Sequence, residues 1–419
     1  MNSSKVLVAH PDKQHSYRLA TALKQNGLLN KYITTVYDKE NSLTRRLTYI
    51  LGGKNLKKAK SKSCDTLDDF DVVQYYEIIN LIIIFLSKFP GLLNLCRNLR
   101  KKLSDYFGIR VAKYAIKNNI KYVIMYDATA LSCFEYLNKY APEIVRILDV
   151  STVSHSFMKK TFDNAIKISG DITLKKEFSY LWDPIFLSRY DKEIELSNFF
   201  FVPSEIVKES LIYNNISVDR IFKIPYGVDI SYFTPLYKKK DNVLRALFVG
   251  QVTYRKGINF ILEAISKFND DEVELLIAGG FNPESSWYIE NKDNRNVKFL
   301  GFVTRDNINK LFQESDVFLL PSLAEGQALV GLEALASGLP VLCSKFSGVN
   351  DLIIDGYNGY VVDIKNSDDL FDKISVIKNL TPVDLILMKE RARSSVEMYT
   401  WEKYYDRVTS TLLNEIINS

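Results

Sequence analysis

Two glutamates eight positions apart, Glu325 and Glu333, are the side chains of this sequence that are best placed to do chemistry. Residues 328–337 have the apolar spacing of a helix, and Glu333 shares its stripe with Leu329 and Leu332, which should pack on a sheet. An unpaired charge in such a place costs roughly several kcal/mol before any pKa shift. Glu333 should therefore meet either an internal Arg or Lys, as a structural ion pair, or a ligand rich in hydroxyl groups.

The elements around the two glutamates predict a βαβ unit. Val317–Leu320 has the composition of a buried strand, residues 321–326 that of a turn, and residues 341–343 that of the next strand. Glu325 would then lie in the loop that leaves the carboxyl end of a strand, where open α/β sheets bind ligands. The backbone amides at the start of the intervening helix offer an anion site. They belong to Gln327, Ala328 and Leu329.

Arg255 and Lys256 form a second candidate site. Residues 246–249 predict a strand that ends at Gly250, and residues 258–268 have helical spacing, so both cations lie at a strand-to-helix junction. Positive side chains there oppose the helix dipole, at a cost of a few tenths of a kcal/mol, unless an anion lies between them and the amides. A diphosphate would be such an anion. Two solvated loop cations are the alternative.

Several segments resemble, in the same order, those of glycosyltransferase family 4, which has the GT-B fold. The strongest resemblance is the run Glu325-Gly-Gln-Ala-Leu-Val-Gly-Leu-Glu333 with the Ala-Leu-Ala-Ser-Gly-Leu-Pro-Val that follows it. The other segments are Phe248-Val-Gly250 with Arg255-Lys256-Gly257, Ile277-Ala-Gly-Gly280, Val297-Lys-Phe-Leu-Gly-Phe-Val303 and Ile224-Pro-Tyr-Gly-Val-Asp229. The resemblance is good over residues 197–405 and thinner over residues 5–196.

The resemblance implies an α/β protein with two Rossmann-like domains, whose parallel sheets face each other across a cleft. The acceptor-binding domain would span residues 1–227 and the sugar-nucleotide domain residues 228–399, and a helix from about residue 400 to 419 would pack back on the first domain. The implied reaction is retaining transfer of a sugar from a nucleotide-sugar donor to a glycan or lipid-linked acceptor, in cell-surface polysaccharide synthesis. The resemblance implies no metal and no other cofactor.

The resemblance also implies roles for single residues. Glu333 would hold the donor ribose, Glu325 the hydroxyls of the transferred sugar, and Lys256 the diphosphate. His155 resembles the family's acceptor-side histidine, which faces the transferred sugar. Further donor contacts are implied for the phosphate loop, the helix start and one nucleotide-side strand: Gly250, Gln251, Arg255, Gln327, Ala328, Leu329, Phe302 and Val303.

The sequence departs from the family pattern in two places. Gln251 stands where the family usually has Arg, and Arg255 is the obvious substitute. His10 and His15 occupy the place of a glycine-rich first loop on the acceptor side, where the glycines are missing. Two other classes therefore stay open: a GT-B protein that has lost turnover and serves as a binding or scaffold subunit, and a sugar-nucleotide epimerase, which needs no acceptor.

Length and composition are those of a globular protein with two domains, since 419 residues exceed one ordinary core. The four cysteines are far apart and form no CxxC pair, which is typical of cytoplasmic thiols. The first residues lack the apolar core of a signal peptide, so a cytoplasmic protein is expected. Asp69-Phe-Asp71 matches a DxD metal pattern, but so short a pattern arises easily by chance, and we expect no metal there.

Positive charge is concentrated at the start of the chain. Residues 1–120 hold 21 Lys and Arg against 9 Asp and Glu, a net +12, so the remaining residues must carry −7 to give the total of +5. Two basic clusters flank the apolar run 78–86, which is too short to cross a bilayer. Peripheral contact with an anionic inner membrane surface is one interpretation, and an ordinary solvated basic face is the other. No nucleic-acid motif is present. The clusters are Arg45, Arg46, Lys54, Lys57, Lys58, Lys60 and Lys62, then Arg97, Arg100, Lys101 and Lys102.

Overall fold

The structure is a computed structural model that describes residues 5–51, 62–237, 243–364 and 366–418. The strands within these ranges form two sheets that are parallel throughout. The predicted α/β architecture with two parallel sheets is confirmed. Lys54, Lys57, Lys58 and Lys60 of the first basic cluster lie outside the described residues.

The first sheet has the strand order β3-β2-β1-β4-β5-β6-β7, and the second has the order β10-β9-β8-β11-β12-β13. In the first sheet the strands are β1 Val6–Ala9, β2 Leu29–Thr34, β3 Val72–Gln74, β4 Tyr122–Tyr126, β5 Val145–Asp149, β6 Phe199–Val202 and β7 Ile221–Lys223. In the second they are β8 Leu244–Val249, β9 Val273–Ala278, β10 Val297–Gly301, β11 Val317–Leu320, β12 Val341–Ser344 and β13 Gly359–Val362.

Helices cover both faces of each sheet. In the first half they span Ser16–Gln25, Leu43–Leu51, Glu77–Leu86, Leu93–Lys117, Leu131–Tyr140, His155–Ser169, Thr173–Glu177, Pro184–Glu195 and Glu205–Tyr213. In the second half they span Ile258–Ile265, Ser286–Asn291, Arg305–Glu314, Leu329–Ala336, Asp368–Lys378, Pro382–Ser394 and Trp401–Thr411.

Alternation along the strands explains why both faces must be covered. In β1 the side chains of Leu7 and Ala9 belong to one apolar core, and those of Val6 and Val8 belong to the core on the opposite face. All four side chains are fully buried. A strand that is apolar on both sides needs helices on both sides, which is the arrangement of doubly wound parallel sheets.

The carboxyl edges of the two sheets face each other. Ser151 follows β5 of the first sheet, and Gly326 follows β11 of the second. A Cβ atom on Gly326 would overlap the Ser151 carbonyl oxygen, so the two loops touch through backbone atoms. The Ser204 hydroxyl, after β6, donates a hydrogen bond of 2.5 Å to the Gly326 carbonyl. The loops that leave both sheets therefore line one interdomain cleft.

The last helix, Trp401–Thr411, packs on the first helix of the chain, Ser16–Gln25. The Arg18 guanidinium lies 4.5 Å from the Trp401 ring centroid and donates a hydrogen bond of 2.9 Å to the Tyr405 hydroxyl. The C-terminal part of the chain thus returns to the domain that contains the first sheet.

Two helices of the first domain, Glu77–Leu86 and Leu93–Lys117, form a helical hairpin. They pack through a small separate core of Ile83, Cys96 and Leu103. None of the helices in the described segments combines the length and the apolar content that a bilayer crossing needs. The hairpin nevertheless exposes seven large apolar side chains: Ile78, Ile79, Ile82, Phe85, Phe89, Leu93 and Leu95.

Gly227, which lies beneath the last helix, provides a stability test. A Cβ atom there would overlap the Trp401 backbone nitrogen, whereas a Cβ atom on Gly280 would meet nothing within 4 Å. We expect Gly227→Ala to destabilise the protein by about 1–3 kcal/mol, because the last helix must shift. Gly280→Ala is the control. Equal melting temperatures for the two variants would contradict this tight packing.

Candidate active site

Glu325, Arg255 and Lys256 form one charged cluster at the carboxyl edge of the second sheet. One oxygen of Glu325 accepts hydrogen bonds from Arg255 Nη1 and from Lys256 Nζ, both at 2.6 Å. The Arg255 guanidinium also donates to the Ala324 carbonyl at 2.7 Å. Burial lowers the pKa of Lys256, and the Glu325 charge acts in the opposite direction.

Local backbone geometry explains why these residues meet. Arg255 and Lys256 lie in a short turn between β8 and the helix Ile258–Ile265. Gly257 ends this turn with φ of +78°, and a Cβ atom there would overlap the Pro321 carbonyl oxygen. Only glycine combines this left-handed backbone with so close an approach. The turn is thereby held against the loop that follows β11 and carries Glu325.

Glu333 lies on the helix Leu329–Ala336 and is mostly buried. Within the described chain, no Lys or Arg nitrogen lies within 4 Å of its carboxylate, although the more distant charge of Arg305 acts on it. Burial raises the pKa of Glu333 to about 7 despite Arg305. The predicted stripe is confirmed for Leu332, which is fully buried, but Leu329 is 37% exposed. Of the two predicted situations, the structure does not contain the internal ion pair.

The start of this helix offers fewer amides than predicted. The Ala328 N–H donates to the Ser347 carbonyl at 3.2 Å, so it is already used within the fold. The Gln327 side-chain oxygen accepts from the Tyr226 N–H at 2.7 Å, while its buried side-chain nitrogen has no partner among the described atoms. Leu329 is the first helical residue. The Ala328 amide is therefore not free, and the anion site at the start of this helix stays a prediction.

The remaining predicted donor contacts follow two other strands of the second sheet, β8 and β10. Gly250 follows β8 with φ of +148°, and Gln251 beside it is exposed and outside the charged cluster. Phe302 and Val303 follow β10, and Phe302 is 88% exposed. These loops leave the same edge of the sheet as Glu325, because all strands of the sheet are parallel.

The three histidines do not form one group. His10 and His15 both pack edge-on against Tyr126. His15 Nε2 is bonded to Asp149 at 3.3 Å and to the Tyr226 hydroxyl at 3.1 Å. Burial lowers the pKa of His10 to about 4. Both rings follow β1 at the carboxyl edge of the first sheet, and neither lines the cavity described below.

His155 lies elsewhere, as the first residue of the helix His155–Ser169. Its ring centroid is 3.9 Å from that of Tyr190, and burial lowers the pKa of His155 to about 4. The ring is therefore neutral at physiological pH. It lines a cavity of about 550 Å³ in the first domain.

Glu193 is a buried residue of this cavity that sequence reasoning missed. Its two carboxylate oxygens accept hydrogen bonds of 2.6–2.9 Å from the backbone N–H groups of Ala128, Ala130 and Leu131. Burial raises the pKa of Glu193 to about 8. Nothing in the sequence marks it, since it lies within a charged helical run, Asp191-Lys192-Glu193.

The DxD pattern has structural partners. Asp71 forms an ion pair of 2.6 Å with Lys24, and Asp69 accepts the Glu40 N–H at 2.7 Å. In the described ranges, no three His, Cys, Asp or Glu side chains come together in a group that could hold a metal ion.

Comparison with known proteins shows what the second half of the chain is similar to. Residues 235–393 match the family model described as glycosyl transferases group 1. The match covers less than half of the chain. This segment contains the Glu325, Arg255 and Lys256 cluster together with Glu333, and it covers all six strands of the second sheet.

Two relatives illustrate the similarity in sequence. The chain is 30% identical over 221 residues to an uncharacterized glycosyltransferase of Methanocaldococcus jannaschii, covering 50% of this chain and 54% of that protein. It is 24% identical over 351 residues to the UDP-Gal:alpha-D-GlcNAc-diphosphoundecaprenol alpha-1,3-galactosyltransferase of Escherichia coli, covering 77% and 83%. The chain spans about half the length of the curated relatives it matches first.

The architecture is GT-B. The structure resembles sucrose-phosphate synthase from Thermosynechococcus elongatus with a TM-score of 0.68 at 17% identity, over 99% of this chain and 100% of that one. At this identity the likeness shows the fold, and it confirms the fold class expected from the sequence.

The buried Glu333 carboxyl predicts an unusual pH dependence of stability. Its pKa is raised to about 7 in the folded protein, so the folded state holds its proton when the unfolded chain has lost it. Stability should therefore fall as the pH rises from the unfolded pKa toward about 7. Relative to the wild type, the free energy of unfolding of Glu333→Gln should rise by about 2 kcal/mol between about pH 5 and about pH 8, measured by urea unfolding. If Glu333→Gln lowers the free energy of unfolding equally at both pH values, the carboxyl does not hold a proton in the folded state as predicted.

Proposed function

We propose that the protein is a retaining glycosyltransferase that moves a sugar from a nucleotide-sugar donor to a glycan or lipid-linked acceptor in cell-surface polysaccharide synthesis. The observation that carries the proposal is the pairing of two cations with Glu325 beside the unpaired, buried Glu333, within the segment that matches the group 1 family model. The name of the Escherichia coli relative supports a diphosphate-linked lipid acceptor.

The charged cluster suits a departing diphosphate. Lys256 and Arg255 are fixed by Glu325 and face the cleft edge of the sheet, so they need no reorganisation when negative charge develops on a leaving group. Each cation has further N–H donors beyond its contact with Glu325. Arg255 fills the role that the sequence left open at Gln251, because it lies directly beside Lys256. In this proposal no metal is required for charge neutralisation.

Glu333 and Glu325 suit hydroxyl groups. A buried carboxylate with no cation within 4 Å is stabilised by hydrogen bonds from a ligand, and a ribose offers two adjacent hydroxyls. Glu325 lies between the cations and the loop that touches Ser151, so it is placed where a sugar attached to the diphosphate would reach the first domain. His155, neutral and lining the cavity beyond, is the acceptor-side candidate.

Lys256→Ala tests the diphosphate role. We expect the sugar-transfer rate to fall by about 100-fold or more, because one preorganised charge is removed from the leaving group. UDP-, GDP- and ADP-sugars are first screened by thermal shift, and transfer is then followed by nucleotide release with and without acceptor. Lys310→Ala, an exposed cation of the same domain, is the control.

Three results would redirect the proposal. Donor conversion without any acceptor would favour an epimerase, and the absence of both donor binding and nucleotide release would favour a scaffold subunit. Inversion of the anomeric centre in the product, read by NMR, would remove the retaining assignment.

The helical hairpin supports peripheral contact with an anionic membrane surface. Its exposed apolar side chains lie beside Arg97, Arg100, Lys101 and Lys102, and such surfaces bind the interface of anionic bilayers. Arg45 of the first basic cluster is instead paired with Asp38 at 2.8 Å.

We expect the protein to sediment with phosphatidylglycerol vesicles at low salt and to do so far less with neutral vesicles. Ile82→Ser with Phe85→Ser should reduce this binding by about tenfold or more, because two half-exposed apolar groups are lost from the interface. Ile289→Ser, at an equally exposed position of the second domain, is the control. Equal sedimentation with both lipids would leave only a solvated basic face.

A further inference from the structure

The cavity of about 550 Å³ in the first domain lies between two helices. One wall is a face of Leu93–Lys117, and the opposite wall is a face of Pro184–Glu195. Each wall follows the i, i+3, i+4, i+7 spacing of one helix face. The first wall contains Arg97, Arg100, Lys101 and Ser104 together with Asn98 and Asp105, and the second contains Phe186, Arg189, Tyr190 and Glu193.

The first wall concentrates positive charge, and its carboxylate, Asp105, is already paired with Arg189 of the other wall. Arg97, Arg100 and Lys101 form no ion pair and no hydrogen bond with any residue that the structure describes. Three like charges at this spacing repel one another along the helix. Arg189, on the other wall, differs because it is paired with Asp105 at 2.7 Å. The three cations of the first wall are therefore available to an anion in the cavity.

The second wall carries aromatic side chains beside the Arg189–Asp105 ion pair. His155, Phe186 and Tyr190 pack against one another with ring centroids 3.9–5.4 Å apart. Aromatic faces beside polar groups suit the apolar faces of sugar rings. The cavity thus joins a cationic side to a side that fits a carbohydrate.

The cavity is close to the donor-side cluster. Tyr180, which lines the cavity, is near enough to both Arg97 and Arg255 for each cation to lower its pKa, against the larger effect of burial, which raises it. The phosphate loop is also tied to the first domain next to it, since the Tyr254 N–H donates to Glu177 at 3.2 Å. A ligand in the cavity would therefore lie near the reacting end of a donor held by Arg255 and Lys256.

We propose that Arg97, Arg100 and Lys101 form an anion subsite that binds the phosphate or diphosphate group of the acceptor, while its sugar lies against His155 and Tyr190. This inference rests on the proposed function and names the acceptor class for it: a sugar joined through phosphate to a lipid. The same hairpin that carries the three cations exposes Ile82, Phe85 and Phe89, so the apolar tail would leave the subsite toward a membrane surface.

The subsite is tested with farnesyl diphosphate as a soluble probe. All proteins in this titration carry Lys256→Ala, which removes the principal donor-side cation. Adding Arg100→Gln and Lys101→Gln should weaken probe binding by about 10- to 100-fold in calorimetry, because two charge-assisted hydrogen bonds are lost. The control pair is Lys102→Gln with Lys117→Gln, which removes the same charge from exposed positions of the same helix outside the cavity.

Donor binding is measured separately, without Lys256→Ala. Arg100→Gln with Lys101→Gln should leave the affinity for the sugar nucleotide unchanged, so loss of the acceptor subsite and failure of the proposed function give different results. If the unmodified protein binds no sugar nucleotide, the proposed function fails, and the probe titration still reports on the anion subsite.

Two outcomes would overturn the inference. If both charge pairs weaken probe binding equally, the effect is general surface charge and no subsite exists. If Arg100→Gln with Lys101→Gln abolishes binding to phosphatidylglycerol vesicles but leaves probe affinity intact, the cations serve bilayer headgroups instead of the acceptor.

Discussion

The cleft depends on ion pairs that neutralise charged side chains removed from water. Glu325, Arg255 and Lys256 are all largely removed from water, and each is tolerable there only because the others are present. Two glycines make the arrangement possible: Gly257 holds the cations against the loop after β11, and Gly326 lets that loop reach the first domain. The charged cluster is therefore set by backbone contacts that no larger residue permits.

In contrast to Glu325, Glu333 has no paired cation in the parts of the chain that the structure describes. It is buried without a cation within 4 Å in the described chain, and its pKa is raised accordingly, so the free protein carries a cost that a ligand can relieve. A protein retains such a group where binding offsets the loss of stability. The two glutamates thus differ in environment: Glu325 is paired with two cations, whereas Glu333 has none within 4 Å among the described residues.

The sequence predicted the second sheet better than the first-domain cavity, for physical reasons. The strands and helix around Glu333 are short, but they are almost entirely apolar and are separated by clear turn residues, and Val317–Leu320 is confirmed to the residue. The strand Val72–Gln74 is only three residues long and gives no such pattern.

The cavity depends on two helix faces about ninety positions apart that come together only in the fold. The Arg97 cluster was visible in the sequence, but its partners Tyr190 and Glu193 were not. That the Ala328 amide is already used could not be predicted, because its acceptor, the Ser347 carbonyl, lies in a separate loop.

The return of the last helix to the first domain has a mechanical consequence. The chain passes between the two lobes twice, and the two passages run side by side where Val228 donates to the Tyr399 carbonyl at 2.7 Å and bridges to Thr400. Two adjacent connections resist twisting and sliding of one lobe against the other. Rotation about the line through both connections is resisted least. Loops farthest from that line, on the open side, travel farthest for a given rotation, so a small angular change alters the width of the cleft most at that side.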